Sequence, residues 1–195
     1  DEDNYTARRV YQRLGFIDER AWTLWRRAGA VRPGPHPGPP VFISHRRRGD
    51  WRAEYALAQR LRPRERGGIG WQRPLHMGLF RRSLWQTLTD WTNMRSLERL
   101  VIRAQNDDDL AAVMWIERAA MTSSIQLTLL VDPDYQGLYD DALIHLATRR
   151  FGGGRGALLI EHPSDETVTA EVLRRHYFRP QREVVHMRWD VHAKD

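Results

Sequence analysis

One short pattern occurs twice in this chain, and it constrains the fold more than any other feature. Asn4-Tyr5-Thr6-Ala7-Arg8-Arg9-Val10-Tyr11-Gln12-Arg13-Leu14-Gly15-Phe16 and the stretch from Glu166 to Phe178 each read as a short amphipathic helix, a sharp turn with an aromatic residue, and then a strand carrying tryptophan. Setting Phe16 on Phe178 gives an offset of 162 residues (178 − 16), about the size of one ordinary domain. The spacing predicts two related units in tandem, the first represented only by its tail. Thr6 or Asn4 caps the first helix, Ala7, Val10, Tyr11 and Leu14 share a face, and Gly15 supplies the left-handed residue that ends it. The next strand, Arg20 to Arg26, directs Trp22 and Trp25 toward its two faces, so it is expected to pack on the second unit or on a partner chain instead of standing bare.

With 195 residues, 41% of them hydrophobic, the chain can bury one sizeable core but hardly two. The expected division is 1–26 for the closing helix and strand of a preceding unit, 27–40 for a linker, and 41–195 for the domain. Pro33, Pro35, Pro37, Pro39 and Pro40 favour an extended path through the linker. The longest apolar runs, such as Leu129 to Val131 and Ala157 to Ile160, fall far short of the roughly 20 residues that cross a bilayer, and no apolar leader opens the chain. A soluble, cytoplasmic protein is expected. The absence of cysteine removes disulfides and thiolate chemistry, and no histidine spacing suits a metal. A net charge of +6 favours a polyanionic partner, either a phosphorylated cofactor or nucleic acid. The nucleic-acid reading would use Arg46 to Arg48 with Trp51, Arg64, Arg66 and Trp71, and it ranks last because no nucleic-acid motif accompanies these residues.

Periodicity orders the remainder. Val41 to Ser44 reads as a short strand, Trp51 to Leu61 as a helix with Trp51, Tyr55, Ala58 and Leu61 on one face, and Leu79 to Trp91 as a further helix or helix pair. Leu97 to Ala104, Leu110 to Glu117 and Ser124 to Val131 form a predicted meander. A helix over Tyr139 to Phe151, a glycine break at Gly152 to Gly154, a buried strand over Ala157 to Ile160, a helix over Thr167 to His176 and a strand over Arg182 to Val191 complete the unit.

This succession resembles the GNAT superfamily of N-acetyltransferases. Asn4, Ala7, Tyr11, Gly15 and Phe16 are similar to that family's closing motif, Asn-x-x-Ala-x-x-x-Tyr-x-x-x-Gly-Phe, and Val131-Asp132-Pro133-Asp134-Tyr135-Gln136-Gly137 resembles its strand end and the opening of its pyrophosphate loop. The resemblance covers residues 41 to 195 by order of elements. It implies an α/β (α+β) fold with a mixed, mostly antiparallel central sheet flanked by helices, and acetyl-CoA as cosubstrate with no metal. By the same resemblance the strand before the loop splays from its neighbour, so that Leu129, Leu130 and Val131 pair with the pantetheine arm, while Gln136, Gly137, Leu138 and Tyr139 hold the pyrophosphate at a helix N-terminus. A tyrosine on the closing helix protonates the departing thiolate, a role that falls to Tyr11 only where the preceding unit is complete, and otherwise to Tyr177 beside His176. Glu117 or Glu161 is the candidate base.

Two departures stand out against the family pattern. Tyr139 and Asp141, with Asp140 between them, occupy positions where the family carries further glycines or alanine, and a carboxylate close to a pyrophosphate would cost about 4 kcal/mol per charge pair at an effective dielectric of 20. A helix terminus returns only about 0.3–1 kcal/mol. The plain alternative is that both aspartates cap the helix. At the closing motif, Leu173 stands at the offset position of Tyr11, Glu166 at that of Asn4 and Tyr177 at that of Gly15. The expected function is therefore acetyl transfer to a small-molecule or peptide amine, with a possible homodimer. The rival is a catalytically degenerate module of the same fold that acts as scaffold or ligand sensor.

Overall fold

The computed structural model describes residues 5–32, 38–63, 68–70, 73–81, 95–104, 109–119, 122–154 and 156–189. Its elements are α1 (Tyr5–Arg13), β1 (Phe16–Arg27), β2 (Ser44–His45), α2 (Trp51–Leu61), β3 (Arg95–Arg103), β4 (Leu110–Ala119), β5 (Ile125–Val131), α3 (Tyr139–Phe151), β6 (Leu158–Pro163), α4 (Thr167–Arg175) and β7 (Arg179–Trp189). The strands form one seven-stranded sheet in the order β2-β3-β4-β5-β6-β1-β7. All neighbours run antiparallel except β5 and β6.

β1 is thus an inner strand of this sheet, laddered to β6 from Trp22 to Arg27 and to β7 from Phe16 to Arg26. Its two tryptophans explain the placement: both are buried, Trp25 in the core beneath α3 and α4, and Trp22 on the other side under the guanidinium of Arg62. A strand that buries large side chains on both faces has to lie inside a sheet that is covered on both sides.

The same logic governs β4, whose residues from Leu110 to Ile116 are all buried. Alternate residues feed two cores. Ala112, Met114 and Ile116 join Leu127, Leu129, Val131, Leu158 and Ile160 with Leu143, Ile144 and Ala147 of α3 and Val172 and Leu173 of α4. Val113 and Trp115 join Leu130 with Leu57 and Ala58 of α2 and with Phe80.

Several expectations shift. α2 buries Glu54, Leu57 and Ala58, so its inner face is turned one position from the one expected, and Trp51 and Tyr55 only flank the core. The rotation follows from Glu54, whose carboxylate accepts from the Trp115 indole at 2.5 Å, faces Arg46 at 2.6 Å and pairs with Arg99 at 3.1 Å. The strand expected over Val41 to Ser44 is reduced to the two-residue β2. Of the helix expected from Leu79 onward, only the 3-10 turn Met77–Leu79 is described, and residues 82–94 lie outside the described residues. In the glycine break after α3 a side chain at Gly152 would strike the Thr148 carbonyl while Gly153 has open space, and two residues past the break a side chain at Gly156 would strike the carbonyl of Ser123.

Candidate functional site

Where β5 meets β6 the sheet divides. The parallel ladder joins Ile125, Gln126 and Leu127 to Leu158, Leu159 and Ile160 and goes no further among the described residues. β5 nevertheless runs on to Val131, laddered on its other side to β4 as far as Ala112, and β6 runs on to Pro163, laddered to β1. Each strand keeps its outer partner while the two part from one another, so the inner edges of Leu129, Leu130 and Val131 face a wedge instead of a neighbour. These three side chains are buried, Leu129 and Val131 in one core and Leu130 in the other. What they offer the wedge is backbone.

The turn after β5 lies at the open end of the wedge, and its N–H groups are already engaged. Asp134 N–H donates to the Asp132 carboxylate at 3.2 Å, Tyr135 N–H to the Asp132 carbonyl at 2.9 Å, Gln136 N–H to the Pro133 carbonyl at 3.3 Å and Leu138 N–H to the Tyr135 carbonyl at 3.3 Å. Gly137, left-handed at φ 86°, donates its N–H to the Asp140 carboxylate. Asp140 also accepts from Asp141 N–H and from the Thr169 hydroxyl, both at 2.9 Å. Burial pushes the Asp140 carboxyl upward in pKa against these donors. Asp140, the second residue of α3, thus satisfies donors at the start of its own helix and ties it to Thr169 of α4, whereas the N-cap position itself is taken by Leu138 without a side-chain hydrogen bond.

Asp141 looks the other way. It meets His176 Nε2 at 2.9 Å and Arg175 at 3.4 Å, which fastens α3 to the end of α4. Burial holds His176 below the ordinary histidine pKa despite that contact. Tyr139 stacks on Tyr135 with ring centroids 4.7 Å apart.

Behind the turn is an ionic cluster that sequence reasoning missed. Glu166, at the N-terminus of α4, receives both guanidinium nitrogens of Arg62 as well as Arg20 at 3.0 Å, with Gln136 Nε2 at 3.4 Å and His162 Nε2 2.9 Å away. Burial opposes its charge, yet the His162 contact and the Arg62 guanidinium hold its pKa far below the usual carboxylate range. Burial in turn keeps His162 below the ordinary histidine value. Arg60, more exposed, pairs with Asp132 at the turn itself. Since these residues come from β1, α2, β6 and α4, no local spacing in the chain could have announced the cluster.

The remaining candidates disperse. Glu117 sits one rung before the ladder ends, on the α2 side of the sheet, held bidentately by Arg73 at 2.6 and 2.9 Å. Glu161 follows Ile160 directly and by alternation faces the same side, with its carboxylate beside Gly70. One strand, β5, lies between them, so their backbones are two strand spacings apart, roughly 10 Å. Tyr177 lies past the end of α4, half-exposed and left-handed at φ 64°, while Leu173 is buried where the closing motif would carry its tyrosine. Tyr11 is not brought to the wedge: α1 rests at the end of β1 remote from β6, with the Tyr11 ring on Phe16 at 5.5 Å. Arg46 of the basic run is drawn onto Glu54, and Arg64, Arg66 and Trp71 lie outside the described residues. Among the described residues no group of histidine, aspartate and glutamate could hold a metal ion, and no helix is long and apolar enough to cross a membrane.

A mostly antiparallel sheet whose one parallel pair splays beside a turn and a helix N-terminus is the GNAT fold, and comparison with solved structures agrees. A GCN5-related N-acetyltransferase from Sphaerobacter thermophilus superposes with a TM-score of 0.56 at 18% identity, over 93% of this chain and 55% of that one. A putative acetyltransferase of the GNAT family from Novosphingobium aromaticivorans gives 0.50 at 18% identity, over 89% and 65%. A tandem GNAT protein from the clavulanic acid biosynthesis pathway gives 0.53 at 13% identity, over 93% and 57%. This chain thus spans a little over half the length of such proteins, and at these identities the likeness is one of fold. No protein-family model and no curated protein sequence matches the chain.

Proposed function

We propose that this chain is part of an acyl-CoA-dependent N-acetyltransferase that moves the acetyl group of acetyl-CoA onto an amine. The observation that carries the reading is the unpaired inner edge of Leu129 to Val131, left open where the β5–β6 ladder stops at Leu127 and Ile160. Backbone groups on a free strand edge suit the amides of a pantetheine arm, which can pair with them as another strand would. Acetyl-CoA would bring the activated acyl group. Residues of this chain would align the arm along β5, draw the pyrophosphate toward Arg60 and the N-terminus of α3, and take the amine's proton on Glu161 or Glu117, the two carboxylates on the α2 side of the sheet. Tyr177 follows α4 at the Leu158 end of β6, away from the wedge, so it would not protonate the thiolate here; Tyr11 would do so only in a site built around α1.

A second reading has its own support. The turn's N–H groups from Asp134 to Leu138 are satisfied internally and the Asp140 carboxylate, buried beside them, adds a negative charge at the start of α3, as expected of a module of this fold that no longer takes coenzyme. Titration calorimetry with acetyl-CoA separates the two. On the first reading the protein binds acetyl-CoA in the micromolar range and Asp140→Asn tightens binding at least tenfold, because the amide keeps an acceptor for the turn and removes a charge facing the pyrophosphate. Absence of heat in both proteins would establish the second reading.

A further inference from the structure

The repeated segment is two-fold symmetric in three dimensions, and only one of its two halves is covered by the described residues. α1 and α4 have the same bounds once the offset of 162 is applied, and each is followed by a left-handed residue, Gly15 at φ 89° and Tyr177 at φ 64°. The strands that follow, β1 and β7, pair antiparallel with each other. Trp22 faces Val184, its own equivalent, while Ala21 faces Val185 and Thr23 faces Glu183. The two register shifts leave out Glu19 on β1 and Gln181 on β7, which are again 162 apart. A dyad through the Trp22–Val184 pair therefore maps the whole ladder, irregularities included, onto itself.

The surroundings break that symmetry. On one side, Trp22 to Arg27 pair outward with β6, and α4 is sunk in the core. The equivalent outer edge on β7, Val184 to Trp189, pairs with no strand among the described residues. The helix faces contrast in the same way. Val172, Leu173 and His176 are 1%, 0% and 5% exposed, whereas their equivalents Val10, Tyr11 and Leu14 are 50%, 48% and 61% exposed, and Trp189 beside them is 58% exposed. α1 is not loosely attached, since Arg8 and Gln12 donate to Asp18 at 2.7 and 3.0 Å and Phe16 stacks on Trp189. Its apolar face is held outward.

We propose that the α1 face and the outer edge of β7 form one interface. Its occupant is a second unit of this fold on the same polypeptide, of which α1 and β1 are the closing elements, and whose counterpart of β6 pairs with Val184 to Trp189. The two sheets then continue into each other through β6, β1, β7 and that strand. The matched structures support this occupant over a second copy of the chain, because this chain covers only 55–65% of their length and one of them is a tandem protein.

Hydrogen exchange read by mass spectrometry on the polypeptide as its gene encodes it, at a concentration where light scattering gives one chain per particle, tests the proposal. Val184 to Trp189 and Tyr5 to Arg13 are expected to exchange as slowly as Trp22 to Arg27. Leu14→Asp is expected to speed exchange in both segments at least tenfold while Leu158 to Pro163 stay protected. Free exchange of the two segments in the unsubstituted polypeptide, or protection that arises only in particles of two chains, overturns it.

Discussion

Glu166→Gln gives the sharpest physical test of the site, because the consequence falls on one identifiable group. Arg20 keeps a second carboxylate, Asp165, at 2.8 Å, so it is not orphaned. Arg62 is different: its side chain is 2% exposed, Glu166 is its only carboxylate among the described residues, and its remaining acceptor is the Leu61 carbonyl at 3.1 Å. Breaking a buried ion pair from one side costs about 3–5 kcal/mol, since the partner's charge is left in low dielectric. Against a total stability of about 5–15 kcal/mol, that is a large fraction. Equilibrium denaturation at neutral pH measures it, and a double-mutant cycle with Arg62→Met locates it. Met can fill the space over the Trp22 ring now taken by the guanidinium, 5.8 Å from the ring centroid, so the double variant should be more stable than Glu166→Gln alone. The pH dependence carries the same sign. A carboxyl held below its unfolded pKa contributes stability above the ordinary value of 4.5 that is lost as pH falls through the folded value, so the gap between wild type and Glu166→Gln narrows progressively below 4.5. A loss under about 1 kcal/mol at pH 7, the range of surface ion pairs, or an equal loss in the Arg62→Met background, would refute the claim that this charge is buried and mutually compensated.

Three further outcomes are expected. Tyr177→Gly relieves a left-handed backbone and raises stability by about 1 kcal/mol, seen as a rise of about 2–4 °C in Tm, whereas Tyr177→Ala does not; equal behaviour of the two variants would deny the strain. Burial lowers the pKa of His162 and His176, so the unfolded chain takes up protons first as pH falls below 6.5 and stability declines there; replacing both by Gln flattens the curve between that pH and the onset of carboxylate protonation, and an unchanged slope contradicts the assignment. Thr169→Val removes a donor from the buried Asp140 carboxylate and costs about 1–3 kcal/mol by chemical denaturation at pH 7, an effect that disappears in an Asp140→Ala background if Asp140 is its partner.

The features legible in the chain were those that depend on neighbours in sequence. Period-2 and period-3.6 patterns located the meander, the two closing helices and the strand before the turn, and the left-handed residue after each closing helix sits where the offset puts it. Relations between distant segments were not legible, because periodicity records that a face is buried and not what buries it. Glu54 shows this: a carboxylate one position off the expected face of α2 turned that face inward, because the Trp115 indole and the Arg99 guanidinium, from two different strands, were there to meet it. The sequence patterns singled out neither Arg62 nor His162, and only the folded chain joins them to Glu166 in one compensated cluster.

β1 falls between these cases. Tryptophans at Trp22 and Trp25 lie on opposite faces of the strand, and a strand with two large apolar faces needs both a neighbour on each edge and a layer over each side. That much was contained in the spacing. Which edges it would join was not, because β6 and β7 lie more than a hundred residues downstream. The loop-closure entropy of so distant a pairing grows only logarithmically with chain length, so sequence separation is a weak argument against it, and the area buried by two tryptophans outweighs it. The same comparison applies to the outer edge of β7. An apolar helix face beside an outer strand edge is the condition that β1 satisfied by insertion between β6 and β7, and Val10, Tyr11, Leu14 and Trp189 present it again without a covering layer among the described residues.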